Sequence, residues 1–579
     1  MRARGLIFVS AFLVPSAGVF FVPKEQLTAV STFLSTQISA EKPVAPTPTE
    51  PPANPAPKPV QVPGPSIHVQ GVGTAMPDSI PGQSSSQDPT RDATQTGADP
   101  STYTTLPAAL IDDGSDDLPA LELEPEPPAP EPPKNSPKSD KPTLSSTARE
   151  TWVFAEPRWA SRKLGYLRAG ASVERKAKPA GFTSCPEGWY KIKPHGYVCA
   201  NELTSLDSNH PVVVASATRP KSDGLPYVYV MGRFPTPPFY TRLPSKAEQQ
   251  KVENDLANAL RKAALLAKDP SFVAPPEPDA IPSFLENGSP LPGLANTFRP
   301  RDAVTVGRAR VRSGFALLGT YEHEGRRFGL TTDLTLIPLD RTRVVKPSAF
   351  HGVKLDETVN LPMAFVRSKH AFRYTQTETG AIVRGEPIAH REGVPITDVV
   401  KRAGGVTYLQ AKDGSFVAEE QVVRVDRFKK APAWATAGRK WVDVSILKQS
   451  LVAYEGEKPV YVTLVSTGAD GIGDPKKTHS TIQGAFLIHT KHVTVTMDGD
   501  TAGDEFDFRD VPFVQYFTEG FALHAAYWHD EFGTPRSHGC VNLAPIDAAW
   551  LFGWTDPPVP EGWHAALSLK RGTLVYTHP

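Results

Sequence analysis

A cysteine in the last part of the chain stands in a segment with the composition of a tight turn. Cys540 lies in the run Ser-His-Gly-Cys-Val-Asn, in which Gly539 lets the backbone approach its neighbours closely. His524 stands sixteen residues earlier, and the segment between them contains Gly533 and Pro535, so it can fold back on itself. Because thiolate is the nucleophilic form of cysteine and imidazole its usual base, this spacing predicts a cysteine nucleophile with a histidine partner.

Two other uses of these residues remain open. His524, His529, His538 and Cys540 are ligand types that a zinc enzyme uses. Their spacing is not that of a zinc finger or an H-E-x-x-H helix, and no carboxylate base accompanies them. A single cysteine can also be a buried apolar side chain. The flanking turn and the distant histidine favour chemistry, and neither a metal nor another cofactor is expected.

The segment resembles the L,D-transpeptidases of bacterial cell walls, the YkuD family. The resemblance is carried by His524, by the turn around Cys540, and by the flanking runs Gly520–Leu523 and Leu543–Pro545. It covers residues 441–579 and implies a mostly β, sandwich-like catalytic domain.

The resemblance also implies a role for each residue of the motif. Cys540 is expected to be the nucleophile and His524 the general base and acid, oriented by the backbone carbonyl of Ala525. His538 and Gly539 are expected to support the turn or to stabilise an oxyanion. The residues expected to contact substrate are Tyr516, Met497, Trp528, Ser537 and Asn542.

By this resemblance the protein is a peptidoglycan L,D-transpeptidase that forms 3→3 cross-links through a cysteine acyl-enzyme. With water as acceptor the same site would be an L,D-carboxypeptidase, and with a protein lysine it would anchor that protein to the wall. A non-catalytic wall-binding protein is a further alternative. The expected partners are peptidoglycan stem peptides, with carbapenem β-lactams as inhibitors. The net charge of zero gives no electrostatic reason to expect nucleic acid.

The other two cysteines and the first residues of the chain bear on location. Cys185 and Cys199 stand in one small predicted domain and could form a disulfide, although three unrelated buried thiols are the alternative. A disulfide together with a free thiol suits an exported protein. Residues 1–22 read as a basic start followed by an apolar run, as in a signal peptide or membrane anchor. We therefore expect a protein of the periplasm or cell envelope, with membrane contact only through this segment.

The remaining chain divides by composition. The 579 residues contain 60 prolines, which concentrate in residues 23–147, where hydrophobic periodicity is missing; this predicts a disordered Pro-rich linker. Residues 148–206 contain short β-rich runs, among them Gly-Trp-Tyr-Lys-Ile from Gly188, and resemble bacterial SH3-like domains.

Residues 210–440 are predicted to be a β-rich region with room for further SH3-like modules. Ser245 is a candidate N-cap for a helix over 245–268, and Glu324-Gly325 has the composition of a hairpin turn. The fold class predicted for the whole chain is mainly β: a sandwich-like catalytic domain, one or more small SH3-like barrels, and a long disordered N-terminal segment.

Overall fold

A computed structural model describes residues 141–579 except for 223, 301, 429–430, 500–504 and 519. This part of the chain is mainly β, as the sequence predicts. The predicted signal or anchor segment (1–22) and nearly all of the predicted linker (23–147) lie outside the described residues. Within the described ranges, none of the helices has both the length and the apolar character needed to cross a bilayer.

The first module spans residues 141–206 and begins earlier than the predicted boundary at residue 148. Thr143–Ser146, which the sequence assigns to the linker, forms its first strand. Leu144 is the one large apolar residue of that strand, and strands distant in sequence bury it completely. Cys185 and Cys199 form a disulfide in this module. Its strands are β1 (Thr143–Ser146), β2 (Thr151–Phe154), β3 (Lys163–Leu167), β4 (Ser172–Glu174), β5 (Trp189–Lys191), β6 (Tyr197–Cys199) and β7 (Thr204–Ser205).

The second module spans residues 226–346, and the short helix α1 precedes it. The hairpin predicted at Glu324-Gly325 is confirmed: both residues have positive φ, at 53° and 72°, between two long paired strands. The elements are α1 (Pro211–Ala215), β8 (Val228–Gly232), β9 (Pro238–Tyr240), α2 (Lys246–Val252), α3 (Leu256–Leu266), β10 (Thr305–Arg308), β11 (Ser313–His323), β12 (Arg326–Thr331), β13 (Leu336–Pro338) and β14 (Thr342–Val344).

The helix predicted over 245–268 is two helices, α2 and α3. Ser245 caps α2 through a capping box with Glu248, in agreement with the sequence. The helix breaks at Glu253, whose carboxylate is buried and accepts hydrogen bonds from Arg326, at 2.7 Å, and from Arg341. Tertiary ion pairing, which local propensity does not encode, therefore decides where the helix ends.

The third module spans residues 361–427, and its strands pair in the same order as those of the second module. The order of pairing is β9-β13-β12-β11-β8-β14 in the second module and β17-β21-β20-β19-β16-β22 in the third. In each, one 3-10 turn precedes the last strand. The elements in this part of the chain are β15 (Val353–Lys354), β16 (Met363–Val366), β17 (Ala371–Gln376), β18 (Ile382–Ile388), β19 (Gly393–Ala403), β20 (Val406–Ala411), β21 (Phe416–Ala418), β22 (Val422–Val425) and α4 (Ala433–Thr436).

The first module shares the main pairings of this plan, because β1 pairs with β4 and β7 while β6 pairs with β2 and β5. One β topology therefore recurs three times along the described chain. That these modules are SH3-like stays a prediction.

The C-terminal domain has two layers. A six-stranded sheet, β15-β25-β24-β23-β32-β26, packs its apolar face against β28, β29, β30 and helix α5. The elements are β23 (Lys440–Ser445), β24 (Ser450–Glu455), β25 (Lys458–Leu464), β26 (Gly484–Leu487), β27 (Thr490–Gly499), β28 (Phe506–Thr518), β29 (Phe521–Ala525), β30 (Val541–Leu543), α5 (Pro545–Trp554), β31 (Ala565–Leu567) and β32 (Leu574–His578).

The first and second modules join the C-terminal domain through one sixteen-stranded sheet. Strand β11 of the second module runs parallel to β28, with Ser313 paired to Asp507. Strand β3 of the first module runs antiparallel to β31, with Gly165 paired to Ala566. Backbone hydrogen bonds therefore fix both modules directly on the C-terminal domain.

A buried carboxylate on β28 ties these three parts together. Asp510 forms an ion pair with Arg168 of the first module and accepts hydrogen bonds from Thr332 of the second, at 2.5 Å, and from Thr494, at 2.7 Å. Burial acts to raise the pKa of Asp510, but the charge and hydrogen bond of Arg168 hold that pKa below its ordinary value. The Tyr229 hydroxyl donates to the Asp510 carbonyl at 2.6 Å.

Replacement of Asp510 by Asn is expected to destabilise the protein by about 3–5 kcal/mol, because it leaves the largely buried Arg168 without its ion-pair partner. Thermal and urea unfolding of the full chain would measure this loss, together with limited proteolysis at the module boundaries. Asp302→Asn, at an exposed position, is the matched control and should change stability by less than about 0.5 kcal/mol. Equal stability of the two variants would contradict the central role of Asp510.

Candidate active site

The turn that carries Cys540 is held by its own side chains. Ser537 Oγ donates to the Cys540 carbonyl at 2.5 Å and accepts from the Gly539 N–H at 3.0 Å. Gly539 has φ +125°, and a Cβ at this position would lie 2.7 Å from the Phe521 ring. The turn therefore requires glycine, and it delivers Cys540 directly to the start of β30.

A second group of residues, around Thr481 and Gly468, also supports the turn. Thr481 Oγ1 donates to the Gly539 carbonyl at 2.7 Å and accepts from the Gly468 N–H at 2.9 Å. A Cβ at Gly468 would lie 2.0 Å from the His479 carbonyl oxygen, so this approach also requires glycine. The run of small polar residues around Thr481 is the one signal for this role, and it is weak.

His524 lies on β29, next to the strand that follows the cysteine. Strands β29 and β30 are parallel, and His524 is paired with Asn542. The imidazole is buried, with 2% of its surface exposed, and its Nδ1 lies 3.1 Å from the carbonyl oxygen of Ala525. Since a carbonyl only accepts hydrogen bonds, Nδ1 carries the proton and Nε2 remains able to accept one.

The thiol and the imidazole are both neutral at rest. Cys540 Sγ donates to the Gly520 carbonyl at 3.5 Å. Burial raises the pKa of the Cys540 thiol to about 11, against a smaller lowering by the Ala522 N–H. Burial also lowers the pKa of His524 to about 4, although its bond to Ala525 acts to raise it. A thiolate held by imidazolium, which the pairing of these residue types suggests, is therefore not the resting form.

Three of the five residues predicted to contact substrate pack on the same apolar cluster as Cys540. We call the buried apolar residues of this region the thiol-side cluster: Tyr229, Met231, Ala316, Val345, Val511, Val514, Ala522 and Tyr527. Tyr516, Met497, Trp528 and Cys540 all pack against this cluster and are partly buried.

The other two predicted substrate contacts, Ser537 and Asn542, form hydrogen bonds within the protein. Both side chains are buried, and Ser537 forms the hydrogen bonds of the turn. The Asn542 amide is hydrogen-bonded to Nε2 of His529 at 3.1 Å. We assign both residues to positioning the thiol, because neither side chain faces solvent.

The remaining histidines of the motif lie in different surroundings. His538 is exposed, and its ring lies 4.5 Å from that of His479 and 5.1 Å from that of Phe506. Burial lowers the pKa of His529 to about 4, and the charge of Arg536 adds to this effect. Over the described ranges, no three His, Cys, Asp or Glu side chains converge in a way that could hold a metal ion.

The second module contributes directly to the thiol's surroundings. Four of the eight residues of the thiol-side cluster belong to it, and Leu225 and Tyr227 pack against the cluster from the same side. Residues 210–440 contain no recognisable chemical site in their sequence. No local pattern could reveal this contribution, because these residues meet the C-terminal domain through tertiary contacts such as the pairing of β11 with β28.

The C-terminal domain matches a known family. Residues 439–576 match the family model YkuD, described as the L,D-transpeptidase catalytic domain. A curated protein of Bacillus subtilis (strain 168), "Putative L,D-transpeptidase YciB", is 25% identical over 138 residues, which cover 19% of this chain and 59% of that protein. The chain thus spans less than two thirds of this relative's length. The family match assigns a catalytic domain type to residues 439–576 of this chain.

Part of this chain is also similar to solved structures described as L,D-transpeptidases. The NMR structure of the catalytic domain from E. faecium L,D-transpeptidase is 21% identical and covers 24% of this chain and 98% of that chain, with a TM-score of 0.19. The crystal structure of L,D-transpeptidase 3 from Mycobacterium tuberculosis in complex with a faropenem-derived adduct is 17% identical. It covers 36% of this chain and 78% of that chain, with a TM-score of 0.19.

Alkylation of Cys540 by iodoacetamide is expected to speed up about tenfold per pH unit between pH 6 and 9, because the thiolate fraction of a thiol with pKa about 11 does so. Mass spectrometry of the full chain would follow the reaction. The labelling reports Cys540 because Cys185 and Cys199 are joined in a disulfide. A rate independent of pH over this range would show a thiolate–imidazolium pair and contradict the neutral resting state.

Replacement of Ser537 by Ala removes both hydrogen bonds of the turn and should displace the thiol. We expect acylation of Cys540 by a carbapenem to slow roughly 10- to 100-fold, the usual cost of a misplaced reacting group. Ser368→Ala is the matched control, because Ser368 Oγ accepts a similar bond from the His370 N–H in the third module. Equal acylation rates for the two variants would remove Ser537 from the positioning role.

Proposed function

We propose that this protein is a peptidoglycan L,D-transpeptidase that forms 3→3 cross-links through a cysteine acyl-enzyme. The observation that carries the proposal is the pairing of β29 with β30, which sets a neutral imidazole with a free Nε2 beside the strand that follows Cys540. The family match of residues 439–576 supports the same reaction class. The substrate is a tetrapeptide stem that ends in a diamino acid followed by D-Ala.

In the first half-reaction, the Cys540 side chain turns from the Gly520 carbonyl toward Nε2 of His524, which takes the thiol proton. The sulfur attacks the carbonyl carbon between the diamino acid and D-Ala, and the C–N bond breaks as the thioester forms. The imidazolium returns the proton to the leaving amine, and D-Ala departs. Because the pKa values of thiol and imidazole are about 11 and about 4, proton transfer must accompany attack.

An oxyanion develops on the carbonyl oxygen during attack, and a backbone N–H group of the turn is proposed to receive it. The Gly539 N–H already donates to Ser537 Oγ, so we assign the oxyanion contact to the Cys540 N–H. His538 is exposed beside His479 and Phe506, and we assign it to supporting the turn from the solvent side.

In the second half-reaction, the side-chain amine of another stem attacks the thioester. Its proton passes to Nε2 of His524 and then to the departing sulfur, so the new amide forms and the thiol is regenerated. Tyr516, Met497 and Trp528 pack on the thiol-side cluster and are proposed to line the groove. Apolar walls reduce access of bulk water and so favour an amine acceptor over hydrolysis.

The cell envelope is the proposed location. The disulfide between Cys185 and Cys199 supports it, since such bonds persist in oxidising compartments. The apolar segment at residues 5–22 is proposed to serve export or membrane attachment.

Incubation of the protein with purified muropeptides tests the proposal, because each reaction class has its own product by mass spectrometry. A 3→3 dimer supports transpeptidation, a tripeptide alone indicates an L,D-carboxypeptidase, and stem peptide joined to an added protein indicates anchoring. If neither a product nor a carbapenem adduct on Cys540 is found, the result indicates a non-catalytic wall-binding protein.

Cys540→Ala should abolish both the adduct and the dimer, whereas His524→Ala should slow acylation about 10²–10⁴-fold, the usual contribution of a general base. His370→Ala, at an exposed position in the third module, is the matched control and should leave the rate unchanged. Dimer formation by Cys540→Ala, or full activity of His524→Ala, would contradict the assigned roles.

A further inference from the structure

A cavity of about 430 Å³ lies where the second module meets the C-terminal domain. Residues Tyr527–Asp530 form its wall on the C-terminal domain. The second module supplies Arg233, the strand segment Arg343–Lys346 and apolar residues after helix α3, among them Phe272. The volume falls within the range of ordinary small-ligand and peptide sites.

The cavity adjoins the proposed catalytic pair. The Trp528 ring, which lines the cavity, lies 5.8 Å from the His524 ring. His529, also in the wall, is hydrogen-bonded to Asn542, the strand partner of His524. Val345 and Tyr527 belong both to the cavity wall and to the thiol-side cluster. A ligand in the cavity therefore lies on the imidazole side of the thiol.

The charges that face the cavity are unbalanced. Arg233, Arg343 and Lys346 line it, and over the described ranges none of their side chains has an ion-pair partner. Burial lowers the pKa of Arg233, and the nearby charge of Arg343 lowers it further. Two neighbouring guanidinium groups that repel each other in a cavity wall form a site that an anion would stabilise.

Of the two carboxylates in the wall, Asp530 is paired with Arg391, whereas Asp269 is bonded only to the neutral Ser271 and keeps its negative charge. Asp530 accepts from Arg391 and from Ser348 Oγ, at 2.6 Å each. Asp269 accepts from the Ser271 N–H at 2.8 Å and from its hydroxyl at 2.7 Å. The cavity wall thus carries three cations against one carboxylate without a cationic partner, beside the aromatic side chains of Trp528 and Phe272.

We propose that this cavity binds the carboxylates of the acceptor stem peptide and so holds its amine toward His524. The inference rests on the proposed function and specifies a subsite of it. The acceptor is assigned to this side because its amine must give a proton to the imidazole, whereas the donor acyl group is bound to the sulfur. A stem peptide carries several carboxylates, and guanidinium groups bind carboxylates with two parallel hydrogen bonds.

The test compares a tetrapeptide stem with free carboxylates to the same peptide with amidated carboxylates. Binding is measured by calorimetry at low salt with the full chain carrying Cys540→Ala. This variant cannot turn the peptide over, so the measurement reports binding alone. The background variant should favour the free-carboxylate peptide. Adding Arg233→Gln and Arg343→Gln should weaken its binding about tenfold or more and leave the amidated peptide unaffected.

The matched control is Arg261→Gln with Lys262→Gln, two exposed cations on α3 that do not line the cavity. This control should bind both peptides like the background variant. If the double variant folds poorly by circular dichroism, Lys346→Gln, at an exposed position, replaces it as a single variant. Equal losses in the two double variants, or no preference for free carboxylates, would overturn the proposal.

Turnover of the protein with Cys540 intact separates this inference from the proposed function. If cross-links form but the double variant at Arg233 and Arg343 binds the free-carboxylate peptide as well as the background variant does, the subsite alone would be overturned. Carboxylate-dependent binding with no acyl-enzyme and no dimer would overturn the transpeptidase proposal and support the cavity as a stem-peptide site. If both are right, the double variant should raise the acceptor KM about tenfold and leave carbapenem acylation of Cys540 unchanged.

Discussion

The buried ion pair between Arg168 and Asp510 is the interaction on which the arrangement of the described chain depends. Asp510 lies on β28, the strand that pairs with β27 and β29 in its own domain and with β11 of the second module. Its side chain takes hydrogen bonds from three parts of the chain in one place. A buried carboxylate is stable only when it is fully bonded, so the modules are held at one orientation. The contribution of the second module to the thiol's surroundings, and the cavity beside His524, both follow from that orientation.

The same packing determines the electrostatics of the proposed catalytic pair. Burial disfavours the charged form of each group, so the Cys540 thiol and the His524 imidazole are both neutral and proton transfer belongs to the reaction itself. Lys491 obeys the same rule elsewhere in the domain: it is fully buried and donates to the carbonyls of Phe552 and Thr555, at 2.6 and 2.7 Å, at the end of α5. Burial lowers its pKa to about 7. In both places a polar group stays inside because backbone carbonyls receive its hydrogen bonds.

Sequence reasoning was most successful where the signal is local. The N-cap at Ser245 and the hairpin at Glu324-Gly325 depend on a few neighbouring residues, and the structure confirms them. It was least successful where partners are distant. Strand β1 was assigned to a linker because its burial comes from β4 and β7, and the helix break at Glu253 depends on Arg326 and Arg341, which lie far along the chain. The hydrogen bonds that Ser537 and Asn542 form inside the protein were likewise not foreseen, because residue type alone does not reveal which way a polar side chain points; their substrate contacts stay a prediction.

By itself, the sequence determined that the chain is mainly β, that Cys540 stands in a turn with His524 at a fixed spacing before it, and that the last domain resembles one catalytic family. These properties depend on residue types and short spacings, which are written directly in the chain. Only the tertiary structure decided that both partners of the proposed pair are neutral, that the second module contributes to the apolar cluster on which Cys540 packs, and that three cations line a cavity on the imidazole side. Burial and charge balance depend on which strands pair across hundreds of residues, and that information is distributed over the whole fold.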